Sequence, residues 1–217
     1  MKERGIKSGS RKSNILDALK VNGGVLAAFI LIFLISSVLT TRFLTVSNMM
    51  TILRTNATTA LCAFGMTFVI LTGNIDLSVG SFMTLCGCLS AMLIAEAGMH
   101  TFAAIGVALL VSVVFGTING LLITKMKIPA FIATLATMNA LRGACYVMTN
   151  GKPVVFSKGI FTNIGGGYIG IFPLPAVYMI VALVILWIIL NQTKFGRCIY
   201  AVGGNLMAAK YSGVNTD

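Results

Sequence analysis

The chain is poor in acid, in histidine and in charge of any kind. It has five acidic residues and one histidine among 217, and only 10% of its residues are charged. Soluble domains carry about 25% charged residues, so this composition cannot supply a water-facing shell. His100 is the single imidazole, and the five cysteines (Cys62, Cys86, Cys88, Cys145 and Cys198) contain no CxxC pair. A zinc site is not expected, and four of the thiols sit inside apolar runs as small packing residues. No GxxxxGK[ST] loop is present, so the chain is not expected to bind ATP itself. No cofactor and no catalytic residues are expected, and the chain is not read as an enzyme.

What is abundant is apolar. Hydrophobic residues make up 57% of the chain, and the mean hydropathy is +0.96. The net charge of +11 does not signal nucleic acid. Lys2, Arg4, Lys7, Arg11, Lys12 and Lys20 lie in the first 20 positions, and most of the other cations fall in short breaks between apolar runs. Cations flanking spans set orientation, whereas nucleic-acid binding needs a clustered basic face.

The runs suggest an all-α polytopic transmembrane bundle of about six spans, immersed in the lipid bilayer. Residues 1–20 form a loose basic tail. A first span follows, from about Gly23 to Thr40; it is long and lacks an A-x-A cleavage site, so it reads as uncleaved. Residues 42–55 suit a short interfacial helix with Phe43, Leu44, Met49, Met50 and Leu53 on one side. Further spans run from about Asn56 to Leu71, Leu77 to Ala95, Thr101 to Thr124, 130 to 148, and 176 to 190. Pro129 suits the first turn of the fifth helix, and 149–175 reads as a Gly- and Pro-punctuated loop. The transmembrane part covers 21–190 and a cytoplasmic loop covers 191–217. With the N-terminus inside, eleven basic residues face the cytoplasm and four the exterior.

Rows of small residues mark tight helix packing: Ser112, Gly116 and Gly120 on the fourth span, Gly87, Ala91 and Ala95 on the third, and Ala133, Thr137, Ala140 and Ala144 on the fifth.

"TGNIDLSVGS", residues 72–81, interrupts two apolar runs with an acid and two glycines. From Ala57 to Leu71 a helix would cover only about 22 Å at 1.5 Å per residue. Either the second span begins earlier, or a broken helix around 72–80 dips into the membrane. Asp76 is readable as an N-cap of the third span or as an acid in a break near a translocation path. Near the end, "GGNLMAAKYSG" suits a short helix. Asn205 would cap it, Lys210 would lie in its last turn, and Gly213 would close it in the left-handed conformation. It is either a plain surface helix or a peg for a partner.

Three stretches carry a family resemblance. "LTGNIDLSVGS", "GTINGLLITKMKIPAFIATLATMNALRGACYVMTNGKPV" and "TKFGRCIYAVGGNLMAAKYSGVN" resemble, in order, the permease subunits of sugar-type ABC importers, ribose-type permeases above all. The resemblance implies a subunit of a bacterial cytoplasmic (inner) membrane importer for a simple sugar. It would pair with a second permease subunit, sit on cytoplasmic ATP-binding subunits and receive sugar from an extracytoplasmic binding protein. It maps the broken-helix motif onto Gly73, Asp76, Leu77, Ser78, Gly80 and Ser81. ATPase coupling falls on Gly203, Gly204, Asn205, Ala208, Ala209, Ser212 and Gly213. Arg142-Gly143 and Asn150-Gly151 match further family positions. Polar residues on the spans make Thr67, Asn119, Thr134 and Asn139 candidates for the sugar path. An acid is common in the family near positions occupied here by Leu206 and Met207, and further spans commonly follow the coupling loop, so the chain reads as truncated. Two other functions fit the residues: a secondary transporter with Asp76 as its proton or ion site, or a truncated membrane protein that does not transport.

Overall fold

The computed structural model describes residues 11–155 and 159–216. They form helices α1 (Arg11–Leu39), α2 (Val46–Leu71), α3 (Val79–Ala95), α4 (Thr101–Thr124), α5 (Ala130–Thr149), α6 (Ile160–Gly166), α7 (Leu174–Gln192), α8 (Lys194–Gly204) and α9 (Leu206–Tyr211). A two-residue pair, β1 (Tyr168–Ile169) and β2 (Phe172–Pro173), lies between α6 and α7. The chain divides into two units, one through Ile52 and one from Leu53 onward.

In the first unit, the helix begins at Arg11, so 11–20 are not loose; residues 1–10 of the expected tail lie outside the described residues. Phe33 packs against Phe29 at 6.3 Å and edge-on against Phe43 at 5.4 Å. Thr45 Oγ1 accepts from the Asn48 amide, and Asn48 Nδ2 donates to the Phe43 carbonyl at 2.8 Å. These bonds start α2 at Val46, with no separate interfacial helix over 42–55. At 26 residues α2 is about 39 Å long, enough for the ~30 Å of hydrocarbon, which removes the shortfall expected for the second span.

In the second unit, α3 packs on both α4 and α5. Their shared core holds Leu85, Leu141 and Cys145, with Phe82, Val111, Phe115 and Met148 around them. Cys86 Sγ and Ser112 Oγ lie 2.7 Å apart, tying α3 to α4. The glycine row on α4 does not pack within the chain: a Cβ at Gly116 or Gly120 would meet nothing within 4 Å among the described residues.

α4 and α7 are long and apolar enough to cross a membrane; α3 and Gly23–Leu39 are apolar but shorter. Leu109, Leu110, Val113 and Val114 on α4, and Val181, Val184, Ile185 and Trp187 on α7, are all more than half exposed. Such continuous apolar surface suits lipid.

The expected loop over 149–175 is partly ordered. Asn150, at φ +50°, ends α5. Thr162 Oγ1 accepts from the Gly159 amide at 2.9 Å and opens α6. Gly170, at φ +60°, makes the two-residue turn between the short strands.

Candidate functional site

α2 ends as an apolar helix must if it is to turn back. The Gly73 amide bonds to the Ile70 carbonyl at 2.9 Å and the Asn74 amide to the Val69 carbonyl at 3.1 Å. This is a Schellman closure, and it needs a left-handed residue at its bend. Gly73 supplies it at φ +79°.

Seven residues separate α2 from α3, and Ser78, not Asp76, is the N-cap of α3. The acid stands two residues further out. Asp76 Oδ1 accepts from the Ser78 amide at 2.7 Å and from the Ser78 hydroxyl. The reading of Asp76 as the cap itself is thereby corrected: its carboxylate fixes the cap residue. The geometry is local: the Asp76 carboxylate closes a turn by accepting from the amide two residues on, and the helix begins only after Ser78.

Ser78 is fully buried. Asn119 of α4, also buried, donates from Nδ2 to Ser78 Oγ at 3.4 Å, while its Oδ1 accepts from Thr137 of α5. A thread of hydrogen bonds therefore runs from Asp76 through Ser78 and Asn119 to Thr137, joining three helices at the break. Ser81, one turn along α3, is 2% exposed and its hydroxyl has no hydrogen-bond partner among the described residues. Leu77 is half-buried, and Gly73 and Gly80 are exposed. Thr137 was legible only as a small residue in a packing row; no spacing in the sequence ties it to Asn119.

The last segment is more structured than a polar loop. Thr193 Oγ1 accepts from the Gly196 amide at 3.2 Å and opens α8. Along α8, Phe195, Cys198, Ile199 and Val202 recur at helical spacing and line a groove with Phe68, Val69 and Thr72 of the α2 end and Ile123 and Thr124 of α4. Gly203 lies directly against the end of α2: a Cβ there would stand 1.8 Å from the Leu71 carbonyl oxygen. α9 follows as the sequence suggests. Asn205 Oδ1 accepts from the Ala208 amide at 2.9 Å, Lys210 lies in the last turn, and Gly213 closes the helix at φ +80°. Ala209 is buried; Gly204, Asn205, Ala208, Ser212 and Gly213 are exposed. The segment resembling a coupling element thus touches the residue immediately before the break.

The four path candidates are not brought together. Asn119 and Thr134 are buried among the helices, Thr134 bonding the Ala130 carbonyl of its own helix at 2.8 Å. Thr67 and Asn139 are exposed and bond within their own helices, to the carbonyls of Ala63 and Leu135.

The family model described as branched-chain amino acid transport system / permease component matches residues 48–217. The ribose import permease protein of Bacillus subtilis (strain 168) is 43% identical over 99% of this chain and 66% of its own length. That of Haemophilus influenzae is 41% identical over 88% of this chain and 60% of its own. The galactofuranose transporter permease protein of Escherichia coli (strain K12) is 36% identical over 88% of this chain and 58% of its own. The chain therefore spans roughly 60–66% of the length of its ribose-permease relatives. No solved structure matches it. With a match across residues 48–217 and more than two fifths identity to a ribose import permease, the chain belongs to this family of membrane permease components.

Proposed function

We propose that the chain is the membrane-spanning permease subunit of an ATP-driven importer for a monosaccharide, ribose or a similar simple sugar. The observation that carries this reading is the 43% identity to a ribose import permease along 99% of the chain. The family description names amino acids, but the relatives above are named for ribose and galactofuranose. In this reading the chain crosses the bacterial cytoplasmic membrane about six times, with its N-terminus in the cytoplasm. Residues 21–190 belong to the translocating body, paired with a second permease subunit. Residues 191–217 take up the motion of a cytoplasmic ATP-binding subunit, and an extracytoplasmic binding protein delivers the sugar.

The geometry supports one mechanical route. α9 is a capped peg, and α8 carries it against the end of α2. The next residues form the bend that holds Asp76. A push on α9 moves α8, and Gly203 bears directly on the Leu71 carbonyl. The bend then shifts relative to α3, α4 and α5, which are joined at the same place by Ser78, Asn119 and Thr137.

The test is sidedness. Tyr211 is 84% exposed on α9 and Val155 is 82% exposed after α5. In right-side-out membrane vesicles, Tyr211→Cys should resist an impermeant thiol reagent until the vesicles are opened, whereas Val155→Cys should react at once. Reaction of Tyr211→Cys from the exterior would overturn the coupling role.

A further inference from the structure

α3 and α5 rise side by side and leave a groove of about 490 Å³ between them. Thr84, Gly87, Cys88 and Ala91 form its wall on α3; Arg142, Cys145, Tyr146 and Thr149 form the other on α5. Both sets follow the i, i+3, i+4, i+7 spacing of a single helix face. Lys152 lies at the end where α5 runs out. The volume falls in the range of small-molecule sites, about 300–1,000 Å³.

Arg142 is the unexplained group. It sits seven residues before the end of α5, which the permease reading places in the membrane, is exposed, and has no hydrogen-bond or ion-pair partner among the described residues. A guanidinium at such depth faces a polar interior or a water-filled cavity, because lipid cannot solvate it. Gly87 opposite adds no side chain, and a Cβ there would meet nothing within 4 Å among the described residues. Gly87 thus widens the groove instead of closing a helix contact.

The groove offers hydrogen-bonding groups of both kinds. Arg142 and Lys152 can only donate. Thr84 Oγ1 donates its proton to the Gly80 carbonyl and Thr149 Oγ1 to the Cys145 carbonyl, each at 2.9 Å. Their lone pairs are left to accept. An oxyanion needs donors alone, whereas a polyol, whose hydroxyls both give and take, needs both. A second copy could bring few carboxylates here: the acids are Glu3, Asp17, Asp76, Glu96 and Asp217. Of these only Glu96 follows the end of α3 that borders the groove.

We infer that the groove between α3 and α5 is a water-filled sugar site, in which Arg142 and Lys152 donate to, and Thr84 and Thr149 accept from, the hydroxyls of an uncharged monosaccharide. This rests on the permease reading and adds the residues that touch the solute.

Cys88 lies in the groove and reports on it. The full transporter complex in right-side-out vesicles is treated with an anionic, impermeant methanethiosulfonate, and the modified peptide is located by mass spectrometry. Cys88 should react, and a mixture of D-ribose, D-xylose and D-galactose should protect it. Arg142→Met should slow the anionic reagent by about tenfold relative to a neutral one, with Arg142→Lys restoring the preference. Thr149→Val should raise the KM for sugar uptake with kcat little changed. Three outcomes would each overturn the inference: no reaction at Cys88, protection by sulfate but not by sugars, or faster reaction of a neutral reagent in Glu96→Gln, which would reveal an ion pair between copies that closes the groove. Wild-type sugar uptake is measured in the same vesicles. Uptake with an inert Cys88 would sink the groove alone, whereas ATPase-bearing vesicles that take up no sugar would sink the permease reading.

Discussion

Replacing Gly203 with alanine adds one carbon where there is no room for it. The new Cβ would lie 1.8 Å from the Leu71 carbonyl oxygen, and ordinary contact begins at 3.4 Å. The obstructing atom is backbone, so no rotamer change relieves the clash; α8 must move away from α2. Forced overpacking of this kind costs about 1–3 kcal/mol. At about 2 kcal/mol, the docked position of α8 loses roughly thirtyfold in population. Gly204 is the control, since a Cβ there meets nothing within 4 Å among the described residues. The two variants change helix propensity at adjacent positions near the end of α8, and differ mainly in the clash. Both should insert in the membrane to the wild-type level. Gly203→Ala should lose most ATP-dependent uptake and weaken co-purification with the ATPase subunit, while Gly204→Ala keeps both. Equal behaviour of the two variants in uptake and co-purification would refute the claim that force passes from α8 to α2 at this contact.

Two further outcomes follow from the thread at the break. Asn119→Leu removes one hydrogen bond from Ser78 Oγ, which keeps Asp76, and one from Thr137 Oγ1, which keeps the Ala133 carbonyl; at about 0.5–1.5 kcal/mol for each of the two bonds it should lower stability by about 1–3 kcal/mol, read as a fall in the unfolding midpoint in detergent, and an unchanged midpoint would show that the thread does not hold the helices. Asp76→Asn keeps a carbonyl oxygen that can accept from Ser78, so it should leave assembly and uptake near wild type, while Asp76→Leu should impair both; complete loss of uptake in Asp76→Asn alone would favour an ion-carrying role for the acid.

Much of this architecture was legible because it rests on local rules. α4 fills the expected run from Thr101 to Thr124, and Asn205 and Gly213 bound α9 as their residue types require. α2 was misjudged because Ser47, Asn48, Arg54 and Asn56 dilute its first half, and helix continuity there depends on backbone bonds that composition does not reveal. α8 was missed because three glycines in eleven residues lower its helix propensity. The row of Phe195, Cys198, Ile199 and Val202 was the signal that could have exposed it. The thread from Ser78 to Thr137 joins positions 41 and 18 residues apart. Such pairings are settled by how helices pack, and a single sequence carries no mark of them.

The bonds that tie α3, α4 and α5 together at the break are made by two hydroxyls and an amide. Transmembrane voltage does about 2.3 kcal/mol of work per 100 mV on each elementary charge it moves, and none on a neutral group. Ser78, Asn119 and Thr137 can therefore travel through the electric field of an energised cell at no electrical gain or loss. Any voltage sensitivity of the junction must therefore enter through the Asp76 carboxylate bonded to Ser78, the one acidic member of the thread.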